Sequence, residues 1–341
     1  MSTSGSSGIE NELPVRARVR QRQGSMQRFL IIAAVIAATV LAAGAIWTRV
    51  LAARAERDFP LEGRVVRVQG AALRYVERGT GSPIVLVHGA YGGLEDWIAT
   101  GILDELARSH RVIAFDRPGH GWSERPSHGA ASPIAQARIL REALRELGVE
   151  RPIVVGFSWG GAAALAWAVE APDELAGVVV VNGVAYAWPG ATNTSYVLAG
   201  LPVVGPLLAH TIAAPFGNLT AESSVARAFA PAPVASTFTR SPIPLALRPA
   251  QFLVEAEDMR LLKAAVAIQS PRYGEIRIPL SIVAGRGDLV AFWDFHSKRL
   301  HETVPTSEFT VLEGAGHQIL HSHPSAVIEA TLRLADRLHA R

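Results

Sequence analysis

The chain has no cysteine, so disulfides and thiol nucleophiles are both excluded, while the redox compartment stays open. Lysine is scarce as well: Lys263 and Lys298 are the only two, and arginine carries the basic count. A net charge of +3 over 341 residues is too small to imply a nucleic-acid partner. No Gly-x-Gly-x-x-Gly opens a helix after the first apolar strand, and no Gly-x-x-x-x-Gly-Lys occurs, so a bound nucleotide has little support. His317 and His321 have helical metal-ligand spacing, but no Glu or further ligand stands at a known zinc spacing. Neither a metal nor a cofactor is expected. Charge itself is missing from two stretches, residues 29–48 and 187–221.

The first of these sets the organisation of the N-terminus. Residues 1–28 are Ser/Gly-rich, then Arg-rich, without apolar periodicity, and are expected to be a disordered basic tail. Phe29 to Thr48 holds no charge and no proline. About twenty residues at ~1.5 Å each cross a ~30 Å hydrocarbon core. Residues 29–48 therefore read as a transmembrane signal anchor and the chain's contact with a membrane. The arginine bias favours a cytoplasmic N-terminus and an extracytoplasmic catalytic domain. A cleaved signal peptide competes, because Ala53-Arg54-Ala55 has small residues at the required spacing. A buried core helix fits poorly, since nothing amphipathic runs through the segment. Residues 49–61 are the expected linker.

From Glu62 the pattern changes. Arg64 to Val68 and Leu73 to Glu77 alternate apolar with polar residues, as in a hairpin turned at Gly70. Ile84 to Val87, Val112 to Phe115, Pro152 to Val155 and Val178 to Val181 are uninterrupted apolar runs, as strands covered on both faces require. Helical spacing separates them: Leu94 to Ser109, then a helix capped by Ser132 and Pro133 and running to Gly148. Such alternation predicts an α/β fold with a mostly parallel sheet and helices on both faces. Ligands of such sheets lie at the C-terminal strand ends. His88, Asp116 and Ser158 all stand there.

Gly156-Phe157-Ser158-Trp159-Gly160, with Gly161 behind it, lies between a strand and an Ala/Leu-rich helix. A serine at that junction must turn sharply. The flanking glycines remove side chains that would collide, and Gly161 lets the helix lie close to the sheet. The hydroxyl is then exposed, and the backbone N–H of Trp159 lies at a helix N-terminus, able to stabilise an oxyanion. Here the chain resembles the α/β-hydrolase fold superfamily, in its serine-nucleophile esterase/lipase-like branch with a cap domain. The bland alternative is a Gly-rich turn with a buried serine.

The resemblance implies the order nucleophile, acid, base. Asp288, in Gly285-Arg286-Gly287-Asp288 after the strand Leu280 to Ala284, matches the acid; the N-cap of a helix over Ala291–Val304 is its other reading. Where some relatives put the acid one strand earlier, this chain has Asn182. His317, after Gly314-Ala315-Gly316 and the strand Phe309 to Leu312, matches the base. In the family the residue after His-Gly gives the second oxyanion N–H, which implies Ala90 here, with Tyr91 as fallback. His88 is expected to hold its loop, and Asp116 in Asp-x-Pro-Gly-x-Gly-x-Ser to organise another. The cap is expected at 187–278, between core segments 62–186 and 279–341. Its stretch Tyr196 to Phe216 is too apolar to be left wholly in water. The implied activity is hydrolysis of a carboxylic ester with an apolar acyl or alcohol group. Thioesterase, lipase, peptidase, perhydrolase or carbon–carbon hydrolase chemistry uses the same triad, and a non-catalytic binding protein is the alternative of another class. Oligomeric state is not legible.

Overall fold

In the computed structural model, residues 15–126 and 129–340 are described, with side chains described from Arg22 onward except Gly24. The chain opens with one long helix, α1 (Val15–Asp58). A hairpin follows, β1 (Arg64–Val68) and β2 (Ala71–Arg78), then β3 (Pro83–Val87), α2 (Leu94–Ala99), α3 (Ile102–Leu106) and β4 (Arg111–Phe115). Next come α4 (Pro133–Glu146), β5 (Ile153–Phe157), α5 (Trp159–Glu170) and β6 (Gly177–Val181).

The regular alternation stops there. Five helices intervene: α6 (Thr194–Ala199), α7 (Val204–Leu208), α8 (Ala214–Phe229), α9 (Ile243–Ala246) and α10 (Pro249–Gln269), with a π-turn at Ala209–Ala213 before α8. The core resumes with β7 (Leu280–Gly285), α11 (Arg299–Thr303), β8 (Glu308–Leu312), α12 (Ile319–Ser322) and α13 (Pro324–His339).

The eight strands form one sheet in the order β1-β2-β4-β3-β5-β6-β7-β8. The hairpin edge is antiparallel, and the six strands from β4 to β8 are parallel. Both faces are covered, and the period-2 alternation of the strands sorts the core accordingly. Val85, Val154, Val178 and Val180 pack toward α4 and α5. Ile84, Leu86, Val155 and Val179 pack toward α2, α3 and α13, against Trp97, Ile102 and Leu334. The central strands are therefore apolar throughout, which is why they read as continuous runs.

Three expectations need correction. Helix α1 is helical from Val15 rather than Phe29, and it continues through the expected linker to Asp58; residues 1–14 lie outside the described residues. Helix extension adds one hydrogen bond per residue without a new nucleus, and Arg, Gln and Ala favour it. The stretch Leu94 to Ser109 is two short helices, because Gly101 adopts φ +74 between them. The helix expected over Ala291–Val304 is reduced to a π-turn at Asp294–Lys298 and α11.

The C-terminal half of α1 is docked. Thr48 and Ala55 are each 1% exposed, and Gly44 meets the backbone of Thr211 in the π-turn so closely that no side chain fits between them. Glu56 accepts from Arg248 at 3.1 Å, and the Phe59 carbonyl accepts from Trp122 Nε1 at 3.0 Å.

Candidate active site

Ser158 occupies the turn from β5 into α5 with φ 54 and ψ −114, a conformation costly for any residue with a side chain. The surroundings enforce it. A Cβ at Gly160 would strike the Val87 carbonyl, and one at Gly161 would lie 2.8 Å from Gly183 Cα. Glycine at both positions lets α5 press against β3 and the segment after β6. The Ser158 N–H donates to the Val181 carbonyl at 2.9 Å, which ties the turn to the neighbouring strand.

Ser158 Oγ lies 3.0 Å from His317 Nε2, and His317 Nδ1 lies 2.7 Å from Asp288 Oδ2. The three side chains come from the ends of β5, β7 and β8 and are brought together as one hydrogen-bonded chain. Asp288 Oδ1 accepts from the N–H groups of Val290 at 2.7 Å and Ala291 at 2.9 Å. The capping geometry and the contact to His317 thus coexist on one carboxylate. Burial works against the Asp288 carboxylate. The charge and hydrogen bond at His317, with the two N–H groups, outweigh it and hold the pKa below the usual value. An ionised Asp288 keeps the proton on His317 Nδ1 and leaves Nε2 free to accept from Ser158.

The loop after β3 passes directly over the serine: a Cβ at Gly89 would lie 3.0 Å from Ser158 Cβ. Tyr91 N–H is already engaged, donating to Glu255 Oε2 at 3.0 Å, so it is not the free donor of this loop. Ala90 and Trp159 both border the cavity above Ser158. His88 holds the loop, as expected. Its Nδ1 donates to the Gly89 carbonyl at 2.8 Å, and its Nε2 accepts from Arg117 N–H at 2.9 Å. Burial, with Arg117 and His120 nearby, pushes His88 well below its ordinary pKa, so the ring is neutral. Asp116 accepts from Leu94 N–H at 3.0 Å, Trp122 N–H at 2.9 Å and Arg74 Nη1 at 3.0 Å, organising its loop.

Other functional neighbours escaped the sequence reading. Asn182 Nδ2 donates to the carbonyls of Gly316 at 3.0 Å and His317 at 2.9 Å, while Oδ1 accepts from Gly285 N–H at 2.9 Å. One amide thereby joins the acid-bearing and base-bearing strand ends. His296 Nδ1 accepts from Ala185 and Tyr186 N–H groups, and burial drives this cavity-lining ring down to about 4. From α10, Glu255 and Asp258 reach under the loop after β3. Asp258 accepts from Arg117 at 2.7 Å and from His120 Nε2 at 2.9 Å, while the Arg117 guanidinium lies 4.0 Å over Trp159. Burial raises Glu255 to about 7, and Arg117 offsets only part of that. Asp258 is also buried, but His120, Arg117 and Arg125 hold it at about 2. His321 turns away from the catalytic chain, with Nε2 3.2 Å from Asp96 and Nδ1 3.1 Å from Thr237. No cluster of three or more potential metal ligands occurs among the described residues.

Ser158 and His317 line a cavity of ≈ 1110 Å³ roofed by α6, α8, α10 and the π-turn, with Leu198, Ile212, Phe216 and Leu262 among its apolar walls. That exceeds the roughly 300–1,000 Å³ of ordinary small-molecule sites. The arrangement can transfer a proton from a serine hydroxyl to an oriented imidazole beside a large apolar space.

Comparison with known proteins agrees with the fold. The model of the family described as alpha/beta hydrolase fold matches residues 82–324. Haloalkane dehalogenase 2 of Mycobacterium tuberculosis is 35% identical over 134 residues, 39% of this chain and 46% of that protein. The chain spans less than half the length of the curated relatives that share a stretch of this size. An alpha/beta hydrolase fold protein from Burkholderia ambifaria aligns with TM-score 0.67 at 23% identity, covering 80% of this chain and 98% of that one. A membrane phospholipase A aligns with TM-score 0.60 at 17% identity, covering 94% and 100%. A strained serine between β5 and α5, an acid after β7, a histidine after β8 and a family match over most of the chain lead to one conclusion: the chain belongs to the alpha/beta hydrolase family.

Proposed function

We propose that the chain is a serine hydrolase of carboxylic esters, with Ser158 as nucleophile, His317 as general base and Asp288 as orienting acid. The observation that carries this is the unbroken hydrogen-bond chain Ser158–His317–Asp288 at the floor of an apolar cavity. Ser158 Oγ attacks the ester carbonyl as its proton passes to His317 Nε2. Asp288 holds Nδ1–H and stabilises the imidazolium that forms. The N–H groups of Ala90 and Trp159 donate to the developing oxyanion. His317 then gives the proton to the leaving alcohol, and an acyl-enzyme remains. Water, deprotonated by the same imidazole, attacks the acyl carbonyl, and the acyl–Oγ bond breaks as His317 returns the proton to Ser158. Position 158 is a hydroxyl rather than a carboxylate, which favours a carbonyl substrate over an alkyl halide.

The apolar cavity favours an apolar acyl or alcohol group. Each methylene buried is worth ~0.8 kcal/mol, or about fourfold in kcat/KM per added carbon, until the space is full. We further infer that α1 is a membrane anchor with a cytoplasmic N-terminus. Its stretch from Ser25 to Asp58 is long and apolar enough to cross a bilayer, with a mean hydropathy of 2.7 over its most apolar window. The test is a panel of esters of rising acyl length on the full chain in detergent, with fluorophosphonate labelling. Labelling that disappears in Ser158→Ala, with efficiency rising along the panel, is expected. An unlabelled wild type would overturn the catalytic assignment. A preference for acetate would overturn the apolar substrate. A reporter active only outside the cytoplasm, fused after Arg341, checks sidedness and should be active.

A further inference from the structure

The anchor and the cap share a surface. With Phe29 to Thr48 as the membrane-crossing run, Thr48 marks one edge of the hydrocarbon. Gly44, four residues earlier at ~1.5 Å per residue, lies about 6 Å inside it. Gly44 is where α1 meets Thr211 of the π-turn, backbone against backbone. The beginning of α8 and the end of α7 are therefore pinned at a depth that belongs to lipid. Glu56, twelve residues beyond Gly44, holds Arg248 of the cap about 12 Å outside that edge. The cap is thus tied to α1 on both sides of the boundary, and its depth follows from that of the anchor.

The chemistry of the cap changes at the same level. Nine large apolar side chains between Val197 and Leu219 are exposed, Val203 at 79%, Leu219 at 69% and Phe216 at 63%. No charged residue occurs from Ala187 to Ala221; along α8 the first is Glu222, exposed, followed by Arg227. A face of this size and composition is far more than a dissolved monomer ordinarily leaves in water. Leu198, Ile212 and Phe216 belong both to this exposed set and to the lining of the cavity above Ser158. These three side chains form a wall shared by the exposed set and the cavity.

Resting on the anchor and ester assignments above, we propose that the face from Val197 to Leu219 is seated in the hydrocarbon edge of the bilayer, and that the substrate is an acyl ester of a membrane lipid reaching Ser158 laterally through this wall. Helix α1 then sets the depth of the portal as well as tethering the domain. The lipid's acyl chain moves from one apolar medium to another, so access does not require dragging the chain through water.

The lack of cysteine permits a direct test. Single-cysteine variants Ile36→Cys in the anchor, Val203→Cys and Leu219→Cys on the cap, and Ile268→Cys at the far end of α10 are labelled with a polarity-sensitive fluorophore. Each full chain is reconstituted in phospholipid vesicles with and without bromine on the acyl chains. Bromine should quench the labels at 36, 203 and 219 at least twofold and leave 268 unchanged. Quenching at 36 alone would overturn the seated face while sparing the anchor. No quenching at 36 would overturn the anchor, and the proposal with it. Cap labels shielded from bromine but transferring energy between copies would replace the bilayer by a second copy of the chain. In the same vesicles, wild type should hydrolyse a long-chain ester confined to the bilayer. Turnover of a dissolved short ester with the bilayer ester left intact would overturn lateral access.

Discussion

Replacing Asp288 by asparagine alters the charge at the base of the site with almost no change of shape. In the wild type, Oδ2 accepts from His317 Nδ1 at 2.7 Å and Oδ1 accepts from the N–H groups of Val290 and Ala291. Asparagine offers one oxygen and one NH2. With the oxygen toward Val290 and Ala291, both backbone donors stay satisfied and the NH2 faces His317. The imidazole must then present Nδ1 as an acceptor and carry its proton on Nε2. In that tautomer Nε2 faces Ser158 Oγ, 3.0 Å away, with a hydrogen instead of a lone pair. Flipping the amide sets its NH2 against two N–H donors, so the side chain cannot restore the productive tautomer without losing two buried hydrogen bonds. In a triad this exchange costs about 10³–10⁴-fold in kcat, or roughly 4–5.5 kcal/mol of transition-state stabilisation. The fold should survive, because the loss of one charge-assisted hydrogen bond costs only about 1–3 kcal/mol. The assay is turnover of a chromogenic ester with thermal unfolding alongside. The acid limb gives a second check. The Asp288 carboxylate has its folded pKa below the unfolded value, so its stabilisation is present above the unfolded value and is lost as pH falls through the folded one. Wild type and variant should therefore converge in stability in acid. A kcat within tenfold of wild type would refute the assignment of Asp288.

Ser158→Ala should remove turnover to about the same residual level as the double variant with Asp288→Asn, since the three side chains act as a unit; additive losses in that pair count against it. Asn182→Ala removes the link between the Gly285 turn and the Gly316–His317 backbone. It should lower kcat by up to about 100-fold with little change in KM, as expected for a misplaced base, whereas a change confined to KM argues for a different role. Glu255→Gln tests the buried pair under the loop after β3. Glu255 titrates at about 7 in the fold, above its unfolded value, so it makes stability fall as pH rises toward that value. His120, lowered to about 4 by burial, acts in the opposite sense, but only up to its ordinary value near about 6.5. The buried histidines and Glu95 titrate alike in both proteins, so the melting temperature of wild type should fall relative to that of Glu255→Gln as pH rises toward about 7. An equal decline in both would show that Glu255 is not the titrating group.

The elements legible in the linear chain are those decided by neighbours in sequence. The turn at Ser158 could be read because glycine at 156, 160 and 161 is a local steric requirement. The parallel sheet could be read because strands covered on both faces have no polar side to show. The resemblance to the α/β-hydrolases implied the order Ser158, Asp288 and His317, and each stands just after an apolar strand that the sequence marks. Two local signals misled, and distant partners decided the rest. Gly101 ends a helix whose apolar spacing continues through it, and α1 runs past both of its expected ends. Nothing near Asn182 in sequence reveals that its amide holds a loop more than 130 residues away. Glu255 and Asp258 read as ordinary charges on a helix until packing brings them against Arg117, His120 and the N–H of Tyr91. The apolar run at Phe29 to Thr48 by itself marked a helix long and apolar enough to cross a membrane. That this helix grips the cap at Gly44 depends on two backbones meeting, and only tertiary packing brings Thr211 there.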